Sequence, residues 1–437
     1  MPSELLRQVR VLDPVSQGDR LSDVLIRDGA IASVKDSISE ADCPSETQIT
    51  DGMGLVLGSG LVDLYSHSGE PGFESRETLD SLMRAASAGG FTRLALLPDT
   101  DPPLDHPASL AGLLTRVQAL GPKNPVLPSL HLWGALTLGV KGEQMVEMAE
   151  MSTAGILGFA DGQPIQNGSL LRRILEYGQT FGQPIALWCC DRQIAGNGVV
   201  REGVEALKLG IPGCPTIAET APLATLLEFV AALPTPVHIM RVSTARSVEL
   251  IRTAKAAGLP ITASTTWMHL LLSILEVHSY DPSLRLEPPL GNPADRQALI
   301  QGIQDGVIDA IAIDHSPYTY EEKTVAFAEA PPGAIGLELA LPLLWQAFVE
   351  TGIWDALTLW QCLSLNPARC LGQTLGAIAA GQPAELALFD PQATWTVTAQ
   401  TLNSRSTNTP WWGQEITGRV LKTFVPSRAN FNLDRYN

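Results

Sequence analysis

Short runs of apolar residues alternate with longer helical stretches through most of this chain. Between Gly58 and Pro367 the apolar runs include GLVDLY, RLALLP, HLWGAL, PIALW and VHIMRV, and stretches such as TLDSLMRAASAGG lie between them. A continuous apolar run next to a helix is typical of a strand buried on both faces of a parallel sheet. Eight or nine such strands predict an α/β fold of the (β/α)8 TIM-barrel type.

The two ends of the chain have a different pattern. Residues 1–57 contain the short β-segments VRVLD, DVLIRDGAIASV and GLVLG, and residues 371–437 contain GQPAELALFDP, TWTVT and GRVLKTFV. Turn residues such as Asp28-Gly29 separate these segments. We therefore predict a barrel at residues 58–370 and one small β-sandwich-like domain that residues 1–57 and 371–437 form together.

Charge and cysteine usage restrict the classes of function. The formal net charge of −17 repels phosphate backbones and anionic lipid, so we expect no binding to nucleic acid or to membranes. No apolar run reaches the roughly 18 residues of a membrane helix, and the N-terminus has no apolar segment typical of a signal peptide. The six cysteines are scattered, with Cys189 next to Cys190, which indicates reduced thiols in a cytoplasmic protein.

Two predicted strand ends carry residues capable of chemistry. Catalytic groups of barrel enzymes lie at the C-terminal ends of the strands. The first predicted strand ends at His67, and Asp314 follows the last one. A histidine and a carboxylate can act as a metal ligand and a base, but a lone histidine at a strand end is more often a hydrogen-bonded structural residue. The residues alone leave both interpretations open.

Several segments, in order along the chain, resemble the dihydroorotases. They are LVDLYSHSGEPGFESRET, VSTARSVELI, IDAIAIDHSPYTYEEK, GAIGLELALPLL, LSLNPARCLG, GQPAELALFDP and SRSTNTPWWG. The similarity covers nearly the whole chain. Dihydroorotases interconvert carbamoyl aspartate and dihydroorotate in pyrimidine synthesis, and they use zinc held by histidines with a bridging carboxylate and a catalytic aspartate. The resemblance implies the same fold and the same ancestral reaction.

The resemblance also implies that most of the histidine ligands are replaced. The family's four histidine positions fall on Tyr65, His67, Trp188 and Arg241, so that one histidine remains. Tyrosine and tryptophan are poor zinc ligands, and arginine has no lone pair to donate and carries a fixed positive charge. We therefore expect no bound cofactor, whereas an active enzyme of this family would need zinc.

Two carboxylates of the family's site are retained. The bridging carboxylate falls on Asp161 and the catalytic aspartate on Asp314, which leaves His67, Asp161 and Asp314 as a remnant metal set that we expect to be empty. Two buried carboxylates without a metal need another cation. We therefore predict that Arg241 pairs with Asp314 or Asp161, and that Tyr65 and Trp188 fill the remaining space.

The positions that would contact the substrate are replaced as well. The resemblance places Gly69 where the family has a carboxylate-binding arginine, Asp99 where it has an asparagine, and Gly291 where it has a further arginine. Tyr318 stands where the family has another histidine. An aspartate at position 99 would repel a dicarboxylate substrate. The losses on the substrate side and those on the metal side both indicate that the family's original reaction is lost.

Three hypotheses about function follow. The first is a catalytically inactive dihydroorotase-like protein of pyrimidine biosynthesis, retained as a structural or regulatory subunit in a homodimer or in a complex with aspartate transcarbamoylase. The second is an active or weakly active dihydroorotase, or another cyclic amidohydrolase, with an altered metal site. The third is an anion-binding module that uses the old pocket. Metal content separates the first two, and the size of the cavity around Trp188 and Arg241 separates the first from the third.

Overall fold

A computed structural model describes residues 3–120 and 127–426. The strands in these residues, numbered in chain order, are β1 (Glu4–Asp13), β2 (Gly18–Arg27), β3 (Ala30–Lys35), β4 (Gln48–Asp51), β5 (Val56–Ser59), β6 (Leu61–Ser66), β7 (Phe91–Leu96), β8 (Ser129–Gly134), β9 (Gly158–Phe159), β10 (Ile185–Trp188), β11 (Val200–Arg201), β12 (Gly213–Cys214), β13 (Val237–Met240), β14 (Ile261–Thr266), β15 (Ala310–Ala312), β16 (Leu386–Thr396) and β17 (Glu415–Phe424).

The helices lie mainly between the strands from β6 to β16. They are α1 (Leu79–Ala88), α2 (Pro107–Leu120), α3 (Met148–Thr153), α4 (Gly168–Gly178), α5 (Arg192–Ala195), α6 (Val204–Leu209), α7 (Ile217–Ala232), α8 (Ala245–Ala256), α9 (Trp267–Leu271), α10 (Pro293–Gln304), α11 (Tyr320–Lys323), α12 (Ala340–Leu344), α13 (Ala356–Leu363) and α14 (Leu365–Cys370). Across residues 3–120 and 127–426, none of them combines the length and the apolar character needed to cross a membrane.

Both ends of the chain contribute to one small β-domain. Its seven strands form a single sheet in the order β17-β16-β5-β1-β2-β3, with β4 paired to β1. Strand β5 lies between β1, which runs parallel to it, and β16, which runs antiparallel. The prediction of a β-domain built from both termini is confirmed. We propose for it the boundaries inferred from the sequence, residues 1–57 and 371–437.

Eight parallel strands form the barrel. Their order is β15-β14-β13-β10-β9-β8-β7-β6, so the barrel strands follow chain order, and the strands β11 and β12 between β10 and β13 form a separate two-stranded sheet. Main-chain bonds at the C-terminal ends of β6 and β15 bring the two edges together: the His67 amide donates to the His315 carbonyl at 2.8 Å, and the Asp314 amide donates to the Tyr65 carbonyl at 3.1 Å. The predicted (β/α)8 barrel is confirmed, and its closure lies beside the candidate site residues.

The inside of the barrel is packed rather than open. Apolar side chains from the barrel strands form one buried cluster there, and Trp133, its largest member with Trp188, donates from its indole nitrogen to the Leu64 carbonyl at 2.9 Å. Polar side chains of β13 and β14 also fill the interior: His238 forms hydrogen bonds with Thr262 and Ser264 at 2.9 Å each. The filled interior gives the site at the barrel mouth a rigid floor.

Candidate functional site

The C-terminal ends of the barrel strands bring together residues that are far apart in sequence. Tyr65 and His67 come from β6 and its loop, Trp188 ends β10, Arg241 follows β13, and Asp314 follows β15. With the exception of Tyr65, which lies fully buried beneath, these residues line a cavity of about 130 Å³ at the barrel mouth. The geometry of this site depends on which of its charged groups contact one another.

The guanidinium of Arg241 lies at the centre of the site. It donates to Asp314 from two nitrogens, Nε to Oδ2 at 2.8 Å and Nη2 to Oδ1 at 2.7 Å. Its third nitrogen, Nη1, donates to the Gly162 carbonyl at 2.8 Å. The side chain is only 4% exposed, so this paired, two-point contact is shielded from solvent and is stronger than a surface ion pair. It holds the pKa of the Asp314 carboxyl well below its usual range, against the opposing effect of burial.

Two aromatic side chains contact the same guanidinium. Its central carbon lies 5.1 Å from the ring centre of Trp188 and 5.7 Å from that of Tyr65. Aromatic faces attract a cation at these distances. The Tyr65 hydroxyl also bonds the Ser264 hydroxyl at 2.9 Å, so it is fixed within the barrel. Tyr65 and Trp188 therefore form an aromatic cage around Arg241.

The backbone is strained at both members of the central ion pair. Arg241 and Asp314 have φ angles of +54° and +53°, in the left-handed region that non-glycine residues rarely adopt. Tyr65 supports both residues, because its hydroxyl accepts from the Arg241 amide at 3.1 Å and its carbonyl accepts from the Asp314 amide at 3.1 Å. Tyr65 thus holds the two strained residues in the positions that allow their side chains to meet.

His67 lies between two carboxylates at the edge of this cage. Its Nδ1 is 2.5 Å from Asp99, and its Nε2 is 3.5 Å from Asp314 and 3.1 Å from Nη2 of Arg241. Burial lowers the pKa of His67, but the Asp99 and Asp314 carboxylates outweigh that effect and raise the pKa to about 9. The resulting imidazolium and the guanidinium balance the two carboxylates, so the four groups need no further cation.

Asp161 does not join this cluster. One of its oxygens accepts from the Leu136 amide at 2.7 Å and the Thr137 amide at 3.1 Å, and the other accepts from the Thr137 hydroxyl at 2.5 Å. Burial raises the pKa of this carboxyl to about 6. Of the two predicted partners, Arg241 pairs with Asp314, while Asp161 fixes the loop after β8 and its neighbour Gly162 supplies the carbonyl that Arg241 binds.

The residues at the barrel mouth do not suit zinc. Among residues 3–120 and 127–426, no three His, Cys, Asp or Glu side chains are grouped so that they could hold a metal ion. His67 and Asp314 are the members of the remnant set that approach each other, and the guanidinium of Arg241 contacts both. A fixed positive charge at that position opposes binding of a divalent cation.

Gly69 and Gly291, the glycines at positions where the resemblance implies arginines, are both tightly packed. A Cβ atom on Gly69 would lie 2.3 Å from the Glu77 carbonyl oxygen and 2.7 Å from that of Phe73. On Gly291 it would lie 2.6 Å from the Cβ of Asp295. These contacts are far below van der Waals distance, so neither position has space for any side chain. An arginine at either position would therefore require the surrounding loop to move.

Two cationic residues at the mouth were not singled out in the sequence. Arg76, in the loop after β6, pairs with Glu322 at 2.5 Å and lies over the ring of Tyr318 at 4.8 Å. Lys323 donates to the Pro331 carbonyl at 2.6 Å, and burial lowers its pKa to about 7. The ion pair of Arg76 spans 246 positions of the sequence, and Lys323 bonds main-chain carbonyls, which every residue has, so no local motif identifies either residue.

Comparisons with known proteins settle the family. Residues 54–247 match the model of the dihydro-orotase-like family, and residues 200–428 match that of the amidohydrolase family. A probable dihydroorotase-like protein from Synechocystis is 46% identical over 96% of this chain and 99% of its own length. The chain belongs to the dihydroorotase-like family of amidohydrolases. A dihydroorotase from Pelobacter propionicus is 37% identical to this dihydroorotase-like protein, over 97% of the chain and 98% of the relative.

Solved structures agree with this assignment at the level of the fold. An L-hydantoinase (dihydropyrimidinase) from Arthrobacter aurescens superposes with a TM-score of 0.83 at 21% identity, covering 98% of this chain and 95% of its own. A D-hydantoinase (dihydropyrimidinase) from a Thermus species gives a TM-score of 0.77 at 19% identity, covering 97% and 94%. The dihydroorotase-like chain therefore keeps the shared barrel and β-domain around a mouth occupied by Arg241.

Proposed function

We propose that this dihydroorotase-like protein is a non-catalytic structural or regulatory subunit in pyrimidine biosynthesis. One observation carries the proposal: the buried guanidinium of Arg241, bound to Asp314 through two nitrogens, takes the centre of the barrel mouth. Zinc in this family would polarise the amide and activate a water. A guanidinium can do neither, because it has no coordination position and no proton that it readily releases.

The alternative of an active or weakly active amidohydrolase has less support. A hydrolase needs an activated water and a grip on the substrate's carboxylates. Asp314 is paired with Arg241, and His67 lies between the Asp99 and Asp314 carboxylates. On the substrate side, Asp99 is paired with His67 and offers no positive charge to a dicarboxylate, and Gly69 has no space for a cationic side chain.

Metal content and turnover test the proposal directly. We expect the protein, purified from zinc-supplemented cells, to contain far less than one zinc per chain and to show no turnover above buffer in either direction of the dihydroorotase reaction. The dihydroorotase from Pelobacter propionicus, purified and assayed in parallel, serves as the control for metal loading and for the assay. One zinc per chain together with turnover would refute the non-catalytic role.

A non-catalytic subunit must act through association. We therefore propose a homodimer or a complex with aspartate transcarbamoylase, with an interface above about 1,000 Å². Two exposed apolar side chains of α6 support the presence of such an interface: Val204 is 67% exposed and Leu207 is 84% exposed. Size-exclusion chromatography with light scattering, on the protein alone and mixed with the transcarbamoylase of the same organism, should show a dimer or a shifted complex. A monomer that is unchanged on mixing would argue against the subunit role.

The third hypothesis, anion binding in the old pocket, is less well supported. The cavity there is about 130 Å³, which is small for an organic ligand. The guanidinium that would bind the anion is already paired with Asp314. We also propose a cytoplasmic location, which is supported by the six free thiols.

A further inference from the structure

We propose that this protein binds a small monocarboxylate in a second cavity beside the barrel mouth. This cavity, of about 220 Å³, lies between the segment from Trp188 to Arg201 and the loop from Arg285 to Pro289. Trp188 separates it from the first cavity, because the Trp188 ring has Arg241 at 5.1 Å and Arg192 at 4.9 Å. The proposal goes beyond the subunit role and does not depend on it.

The central residue of the second cavity is Arg201, on β11. It is only 2% exposed, and its Nη2 donates to the Ser243 hydroxyl at 2.7 Å and to the Pro289 carbonyl at 3.3 Å. Its Nε is buried without a hydrogen-bond partner, and over the described part of the chain Arg201 forms no ion pair with a carboxylate. A buried cation in this state is costly unless an anion compensates it.

The other charged groups around the cavity do not supply that anion. Glu287 pairs with Arg192 at 2.9 Å and with Arg285 at 3.2 Å, so one carboxylate already serves two arginines. Glu219 accepts from the Ser247 hydroxyl at 2.6 Å and from the Ser243 amide at 3.1 Å. The Ser243 hydroxyl stands between Glu219 and Arg201 and bonds both.

The charge count of the lining favours a ligand with one negative charge. Three arginines and two glutamates line the cavity, which leaves one positive charge in excess. Arg285, like Arg201, has a buried Nε without a partner. Guanidinium groups bind carboxylates through charge-assisted hydrogen bonds. A single carboxylate would balance the excess charge, whereas a phosphate dianion would overshoot it.

The remaining wall defines the rest of the ligand. It includes the apolar residues Trp188, Val199, Ala218, Pro288 and Pro289, together with the polar side chain of Asn197. The volume is below the roughly 300–1,000 Å³ of pockets that hold drug-sized molecules. These features suit a short-chain carboxylic acid whose carboxylate faces Arg201 and whose hydrocarbon part contacts Trp188 and the prolines.

Calorimetric titration of the intact protein with sodium butyrate tests the proposal. We expect saturable binding, weakened at least about tenfold in Arg201→Met, because a charge-assisted contact is lost. Arg76→Met is the matched control: Arg76 is an arginine of the first cavity, paired with Glu322, and its loss should leave butyrate affinity within about twofold. Inorganic phosphate, titrated separately, should bind more weakly than butyrate.

Each other outcome overturns the proposal. No butyrate binding, equal binding by Arg201→Met, or an equal loss in Arg76→Met would exclude a carboxylate site at Arg201, and tighter binding of phosphate would exclude the ligand class. If Arg201→Met fails to fold, Cys190→Phe, which fills the cavity and keeps its arginines, should abolish binding. The readout is ligand binding alone, so its failure is distinguishable from a failure of the subunit role, which is measured by metal content, turnover and association.

Discussion

Replacing Arg241 with methionine is expected to lower the free energy of unfolding by about 3–5 kcal/mol. Methionine keeps much of the side chain's length but removes the charge. Asp314, whose side chain is 14% exposed, would then lose both of its bonds to the guanidinium, and the Gly162 carbonyl would lose its donor. Urea unfolding at neutral pH, followed by circular dichroism, measures the change.

A second substitution separates charge from packing. In the double variant Arg241→Met with Asp314→Asn, the unpaired carboxylate is gone, so more than half of the lost stability should return. The control is Arg192→Met, which removes an arginine from a half-exposed ion pair. This substitution should change the free energy of unfolding by no more than about 1 kcal/mol. A single Arg241 variant as stable as the unmodified protein would mean that the guanidinium compensates no buried charge.

Placing histidines at the three positions where the resemblance implies them is expected to produce zinc binding but not turnover. In the triple variant Tyr65→His, Trp188→His and Arg241→His, four imidazoles and the Asp314 carboxylate would surround the place of the guanidinium, a set that suits zinc. We expect about one zinc per chain. Hydrolysis of dihydroorotate should stay at background, since Gly69 and Asp99 still offer no grip on the substrate. Metal analysis and the two-directional assay measure both.

The control for this variant keeps the guanidinium. Tyr65→His with Trp188→His leaves Arg241 in the barrel mouth, and its charge should prevent zinc binding. Turnover in the triple variant would mean that hydrolysis does not require the substrate contacts that Gly69 and Asp99 fail to provide. Adding Gly69→Arg should not help, because even a Cβ there would lie 2.3 Å from the Glu77 carbonyl oxygen.

The fold and the centre of the site could be predicted because they follow from patterns along the chain. Alternating apolar runs and helices imply parallel strands, and parallel strands place their C-terminal ends at one face. This is why Tyr65, Arg241 and Asp314 meet although they lie far apart in sequence. The choice between Asp314 and Asp161 could not be predicted, since it depends on the amides of Leu136 and Thr137 that satisfy Asp161.

Other features depend on contacts between loops and left little trace in the sequence. The glycine at position 69 indicated a lost arginine, but its closeness to Glu77 is visible in the packing alone. Arg201 could have been noticed as a charge directly after the apolar pair Val199-Val200. Its lack of a carboxylate partner, however, follows from the positions of Glu219 and Glu287, which come from two other segments.

The sheet shared by the two ends of the chain affects the order in which the protein can fold during synthesis. Leu57 of β5 pairs with Leu388 of β16, so the ribosome must produce the whole barrel before that pairing can form. Until then β5 presents a free edge of unpaired amides and carbonyls, which is a template for pairing with other chains. The edge of β5 must therefore be protected while the chain is being translated. In the finished fold β16 covers this edge, so the need for protection is no longer visible.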